Sequence, residues 1–112
     1  MNISYQHEYL RECCRLLRPA SLNTSFTTLE IKFIRACIAD LRAAPKLNDC
    51  PLSYFRNRHQ NTVEIRDGSI KIICKIISSF DNPMDDQIER LKITKILNTD
   101  LQLDVQSKHN SK

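Results

Sequence analysis

The stretch TVEIRDGSIKIICKII, residues 62–77, has the clearest β signal in the chain. Apolar and polar residues alternate on both sides of Asp67-Gly68, which predicts a hairpin of two antiparallel strands. Asp-Gly suits a type I′ turn, because both central residues of that turn need positive φ. The predicted register has facing pairs that match chemically on both faces: Ile65 with Ile70, Val63 with Ile72, and Glu64 with Lys71.

A capped helix start precedes the hairpin, in Phe26-Thr27-Thr28-Leu29-Glu30-Ile31. The Thr27 side chain can accept a hydrogen bond from the backbone N–H of Glu30, and the Glu30 carboxylate can reach back to the Thr27 N–H. The predicted helix runs to about Arg42 and ends before Pro45, because the residue before a proline disfavours helical geometry. Its apolar positions recur at helical spacing and predict a buried face of Ile31, Ile34, Cys37, Ile38 and Leu41.

Three further segments are predicted as helices: Tyr5 to Leu17, about Pro51 to His59, and Pro83 to about Leu97. The expected fold class is therefore α+β and mainly α, with helix-turn-helix-like helices followed by one β-hairpin and a C-terminal helix. A single domain is expected over residues 1–103. The polar tail, residues 104–112, is expected to be disordered.

The charge distribution predicts an anionic partner. The chain has 112 residues, with 17 Lys and Arg against 13 Asp and Glu, which gives a net charge of +4. The whole excess lies in residues 1–66, which hold ten basic and six acidic residues, whereas residues 67–112 hold seven of each. A basic surface attracts anionic partners such as nucleic acid.

Cysteine, histidine and glycine usage argues against a metal site or a phosphate-binding loop. No two of the five cysteines have C-x-x-C spacing, and no histidine has a Cys, Asp or Glu at ligand spacing. The single glycine cannot build a phosphate-cradling loop. We therefore expect no cofactor and no enzymatic activity. Reduced, mostly buried cysteines are expected, in a cytoplasmic protein without a signal peptide or a membrane contact.

Basic helix faces are the candidate functional site. A solvated exterior is the simplest interpretation of each face, but two successive basic stripes favour double-stranded DNA as the partner. The residues predicted to face the bases of a major groove are Thr28, Lys32 and Arg35. The residues predicted to hold phosphates are Arg15, Arg18 and Arg42. The remaining candidates lie in the third predicted helix and near the hairpin tip: Arg56, Arg58 and Arg66.

Helices followed by a tight hairpin resemble a winged helix-turn-helix, in which the hairpin tip touches DNA. A second likeness is carried by Cys14-Arg15-Leu16-Leu17, Ile34-Arg35, Asp40-Leu41-Arg42, Pro45 and Pro51-Leu52-Ser53-Tyr54-Phe55. On these residues the first half of the chain resembles the DNA-binding half of the FlhC-type transcriptional activators. The resemblance implies a transcription factor whose helix 28–42 meets DNA. The cysteine-bound zinc of that family is not implied, because the second half has only Cys74.

The sequence thus predicts a sequence-specific, DNA-binding transcriptional regulator that acts as a homodimer or with a partner subunit. The expected partner contact is made by the Ile-rich hairpin and the last helix, through Ile72, Ile73, Ile76, Ile88 and Leu91. The alternative is a small protein-interaction module, an adaptor or an inhibitor of a host protein, which uses this same surface. RNA binding is a further alternative, although the aromatic platform that single-stranded RNA needs is missing.

Overall fold

The computed structural model describes residues 1–15 and 26–98, and one five-stranded sheet dominates it. The helices and strands, in chain order, are β1 Asn2–Tyr5, α1 Glu8–Arg15, α2 Thr28–Ala43, β2 Tyr54–Asn57, β3 Thr62–Asp67, β4 Ile70–Ile76 and β5 Arg90–Asn98. Short 3-10 turns lie at Leu47–Asp49 and Asp85–Gln87. The expectation of a mainly α fold is wrong, and the described residues contain no helix-turn-helix pattern.

The sheet has the strand order β1-β5-β4-β3-β2, with β1 parallel to β5 and all other neighbours antiparallel. The edge strand β1 has no counterpart among the elements predicted from the sequence. A bulge interrupts the pairing of β4 with β5, because Ile73 faces Lys95 whereas Cys74 faces Ile93. The extra residue is Thr94, whose hydroxyl donates to the Ile73 carbonyl at 3.1 Å.

Both helices pack on the same face of the sheet and share one hydrophobic core with its inward side chains. The predicted buried face of α2 is confirmed in full, and Ile34 and Leu41 are completely buried. From α1, Leu10 joins this core. The inward residues of the three central strands are Val63, Ile65, Ile70, Ile72, Cys74, Ile76, Leu91, Ile93 and Ile96.

The predicted capping box at the start of α2 is also confirmed. The Thr27 hydroxyl accepts from the Glu30 N–H at 3.1 Å, and Glu30 Oε1 accepts from the Thr27 N–H at 2.9 Å. These bonds satisfy two N–H groups at a helix start, where the backbone itself offers no partner. Glu30 Oε2 accepts from Asn98 Nδ2 at 2.7 Å, so the cap also connects α2 to the end of β5.

The predicted hairpin is present as β3 and β4, but in a shifted register. Ile65 faces Ile72, two residues farther along than expected, and the turn is Gly68-Ser69 rather than Asp67-Gly68. Among the described residues Gly68 has positive φ, +61°, and Ser69 does not. A type II′ turn needs positive φ only at its first central residue, which glycine adopts without strain. The shift of two residues keeps every side chain on its expected face.

The helices predicted over residues 51–59 and 83–97 are wrong. The first region forms β2 and the turn toward β3, and the second forms a 3-10 turn and β5. The buried residues of β5 are Leu91, Ile93 and Ile96, because the bulge at Thr94 replaces one spacing of two by a spacing of three. Together with the buried Ile88 this irregular spacing imitates one face of an α-helix.

Some expectations concern residues outside the described part of the chain. The predicted disordered tail 104–112 and Arg18 lie there, as does the end of the first predicted helix. Within the described residues that helix is confirmed as α1 from Glu8 onward, whereas Tyr5, where it was predicted to begin, belongs to β1. Neither described helix is long and apolar enough to cross a membrane.

Candidate functional site

The outward face of the sheet carries a cluster of basic side chains. Strands β3, β4 and β5 alternate inward apolar residues with outward charged ones, so the charged residues collect on the side opposite both helices. We call this surface the basic sheet face, and its cations are Arg66, Lys71, Lys75, Arg90, Lys92 and Lys95. Its cations belong to neighbouring strands, so the sheet places them side by side.

One carboxylate neutralises part of this charge. Glu64 of β3 contacts Lys71 Nζ through Oε1 at 3.0 Å and Arg66 Nη2 through Oε2 at 3.5 Å. In the described part of the chain, the other four cations of the face have no carboxylate oxygen within 4.0 Å. The cations of this face that have no described ion pair therefore all lie on β4 and β5.

Two cross-strand pairs on this face bring like charges together. Lys75 of β4 is directly opposite Lys92 of β5, and Arg66 of β3 is directly opposite Lys71 of β4. Like charges in directly opposite positions destabilise a sheet. Glu64 compensates the second pair, whereas no described carboxylate compensates the first. An anion bound over Lys75 and Lys92 would remove this repulsion.

The apolar side chains on this face are few and mostly aliphatic. Ile73 and Leu97 lie half-buried between the lysines of β4 and β5. Phe55 is 67% exposed on the edge strand β2, opposite Glu64, beside a shallow groove of about 300 Å³ that Arg66 also lines. In the described residues the face therefore combines charge with aliphatic surface, and its aromatic ring, Phe55, lies at the edge.

The residues predicted to contact DNA do not form one surface. Thr28, Lys32, Arg35 and Arg42 are exposed on α2, on the opposite side of the sheet from Arg66. Arg42 Nη2 also donates to the Tyr5 hydroxyl at 3.3 Å. Arg15, another residue predicted to hold phosphates, is the last residue of α1, and its side chain lies outside the described part of the structure.

Arg56 and Arg58 have structural contacts with Asn82 and Asp85, in the segment between β4 and β5. The Arg56 side chain is only 6% exposed, and its Nη1 lies 3.1 Å from Asp85 Oδ1, while its Nε is buried without a described hydrogen-bond partner. The Tyr54 hydroxyl donates to Asp85 Oδ2 at 2.6 Å. Burial, followed by Asp85, raises the pKa of Tyr54 to about 12. Arg58 Nη1 donates to Asn82 Oδ1 at 3.2 Å, so both arginines anchor the loop before β5.

The predicted partner contact is largely part of the core. The structure buries Ile72, Ile76, Ile88 and Leu91 among the protein's own residues, so these side chains are not available to a second chain. Ile73 points to the opposite face, between Lys71 and Lys75 in β4. An interface built from these five residues is therefore inconsistent with the fold.

The described thiols are poorly placed for chemistry. Cys37 and Cys74 are buried, and Cys50 is half-buried. Burial, a hydrogen bond from Cys37 Sγ to Asp67 Oδ2 at 3.5 Å and the Asp67 charge raise the pKa of Cys37 to about 12. Burial also raises the pKa of Cys50. Since the thiolate is the nucleophile, neither cysteine is activated. Among the described residues, no group of three His, Cys, Asp or Glu is arranged to hold a metal ion.

Sequence reasoning missed most of the basic sheet face. Lys71 and Lys75 were visible as charges within an Ile-rich run, but their alignment with Lys92 and Lys95 depends on strand pairing. Comparison with protein-family models, curated proteins and solved structures found no match to this chain. The resemblance to the FlhC-type activators therefore stays a prediction.

Proposed function

We propose that the protein binds double-stranded DNA through the basic sheet face, mainly by contacts to phosphates. The observation that carries the proposal is the Lys75–Lys92 pair, in which two cations face each other with no described carboxylate beside them. A bound polyanion turns this repulsion into attraction, and the counterions that it releases favour association. The proposal keeps the partner expected from the sequence but moves the contact from α2 to the sheet.

The size of the face favours a polymer over a small anion. Lys71 and Lys75 are four residues apart on β4, which corresponds to roughly 13 Å along the strand. Arg66 and Lys92 lie on strands separated by one other strand, which corresponds to roughly 10 Å across the sheet. A DNA duplex carries about eight phosphate charges over roughly 13 Å of its axis. One duplex can therefore engage several of these cations together, whereas a mononucleotide reaches only a few.

The side chains between the cations favour a duplex over a single strand. Single-stranded nucleic acids bind by stacking bases on exposed aromatic rings. The central strands present Ile73 and Leu97 instead, and Phe55 lies on the edge strand. Recognition of phosphates and of duplex shape is the mode that such a face supports. Sequence-specific control of transcription is the further prediction, and selection from a random duplex pool tests it.

The test is the salt dependence of duplex binding, measured by fluorescence anisotropy with one random-sequence duplex. If four to six phosphates are neutralised, log K should fall with log salt at a slope of about −3.6 to −5.4. Lys75→Ala with Lys92→Ala should weaken binding and make that slope less steep by about 1.8. The matched control, Arg35→Ala with Arg42→Ala, removes the same charge from the exposed face of α2 and should leave the slope unchanged.

The control pair also tests the interpretation drawn from the sequence. If the α2 variant loses binding and the sheet variant keeps it, the basic sheet face is not the site and the helix face is. If the unaltered protein binds no duplex even at low salt, the DNA proposal fails and an acidic protein partner becomes the better candidate.

A further inference from the structure

Helix α2 exposes an apolar stripe on the side away from the core. Leu29 is 76% exposed and Phe33 is 39% exposed, although both are large apolar residues. We define the α2 stripe as Leu29, Lys32, Phe33, Ala36, Asp40 and Ala43. Each of these positions is three or four residues from another one, so together they line one side of the helix. Clustered apolar exposure of this kind marks an interaction site.

The stripe also forms one wall of a groove. Leu29, Lys32, Phe33 and Ala36 line it from α2, and Ser69 of the β3–β4 turn lines it from the other side, around a volume of about 530 Å³. The turn packs closely there, since a Cβ atom at Gly68 would lie 3.4 Å from Phe33 Cε2. The groove is therefore held in shape by the contact between α2 and the hairpin tip.

The geometry points to a second copy of this chain as the occupant, with the two α2 helices packed antiparallel about a twofold axis near Ala36. The stripe is large at its start, with Leu29 and Phe33, and small at its centre and end, with Ala36 and Ala43. Antiparallel packing places the large end of each helix against the small end of the other, because a twofold axis makes the interface self-complementary.

The charges of the stripe fit the same arrangement. With Ala36 on the axis, Lys32 of one chain faces Asp40 of the other, and the symmetry produces this pair twice. Within one chain these two residues are eight positions apart on α2, or roughly 12 Å along the helix, so they do not neutralise each other. A parallel arrangement would instead bring Lys32 against Lys32 of the partner subunit and Asp40 against Asp40 of the partner subunit. Charge therefore selects the antiparallel register.

This dimer has a consequence for DNA, which rests on the function proposed above. The α2 stripe and the basic sheet face lie on opposite sides of the molecule, so the two helix layers meet in the middle and the two sheets lie outermost. The two basic sheet faces then point away from each other. Such a dimer joins two separate DNA segments and does not read two half-sites of one palindrome.

The first test measures the oligomeric state of the full chain by sedimentation equilibrium, without DNA. We expect twice the chain mass of 13.1 kDa, and the Ala36→Arg chain, with a bulky cation on the axis, should sediment at the single mass. Lys32→Asp alone and Asp40→Lys alone should each weaken the dimer, and the two together should restore it. Arg35→Glu, which reverses a charge on α2 beside the stripe, is the matched control and should leave the dimer intact.

The oligomeric state decides the inference about the dimer independently of DNA binding. A monomer at every concentration, or a dimer that Ala36→Arg and the single charge reversals leave unchanged, overturns it. Circular dichroism verifies that each variant is folded. With DNA added, the unaltered protein should retain a labelled duplex on a surface that carries a second duplex, and Ala36→Arg should bind each duplex but lose this bridging. If Ala36→Arg is monomeric and still bridges, the dimer is not what joins the two duplexes, and this consequence of the dimer is wrong.

Discussion

The change Lys92→Glu should stabilise the protein while it weakens DNA binding. Lys92 is directly opposite Lys75, and Cβ atoms in such positions are about 5 Å apart. With the charged ends roughly 6 Å apart in water, the repulsion is about 0.7 kcal/mol. Reversing one charge turns this into attraction, so the swing has an upper limit of about 1.4 kcal/mol. The side-chain entropy lost when an exposed ion pair forms reduces its net stabilisation. We therefore expect a gain of about 0.5–1 kcal/mol in the free energy of unfolding.

The assay is urea denaturation at low salt and at about 1 M NaCl, where the screening length falls to about 3 Å. The gain should be present at low salt and absent at high salt. Lys92→Gln, which removes the repulsion without adding attraction, should show about half of the gain. The idea that Lys75 and Lys92 repel each other would be refuted by either of two results. One is a Lys92→Glu protein that is less stable than the unaltered protein, and the other is a gain in the free energy of unfolding that does not depend on salt.

Three other predictions concern the interior. Leu41→Ala should lower the free energy of unfolding by about 3 kcal/mol in urea titrations, because Leu41 is fully buried. Asp85→Asn leaves the charge of Arg56 without its partner and should lower the free energy of unfolding by about 1–3 kcal/mol. The loss is smaller than that expected for a fully buried ion pair, because the Asp85 side chain is 34% exposed. Cys37 should resist iodoacetamide in the native protein and react in urea. Since its pKa rises from 9.0 to about 12 on folding, stability should fall as pH rises across that interval, and Cys37→Ala should lessen the fall.

The parts of the fold that the sequence predicts correctly depend on local information. The capping box needs only Thr27 and Glu30, three positions apart, and the buried face of α2 needs only its own periodicity. The hairpin depends on contacts only slightly farther apart in sequence. Even there, the observed turn lies one residue later than the predicted one. A type II′ turn needs positive φ at Gly68 alone, whereas the predicted type I′ turn would also need it at Asp67.

The parts that could not be predicted depend on distant pairing. β5 is a strand because it pairs with β4 and with β1, and the residues of β1 lie almost the whole chain length away. Its bulge at Thr94 removes the strict alternation by which a strand is recognised. The same dependence hides the basic sheet face, since Lys75 and Lys92 meet only in this register. The basic excess of residues 1–66 was therefore a poor guide to where positive charge concentrates.

The location of that charge is itself an argument for binding. Polar residues on the outward face of a sheet are free to vary, and pairing opposite charges there would stabilise the strands. β4 and β5 instead place Lys75 against Lys92, while the core beneath them is fully buried at Cys74, Leu91 and Ile93. The core easily offsets a cost of about 1 kcal/mol, so the fold tolerates the repulsion without requiring it. An anionic ligand bound over Lys75 and Lys92 would turn this repulsion into attraction, which is why we place the contact there.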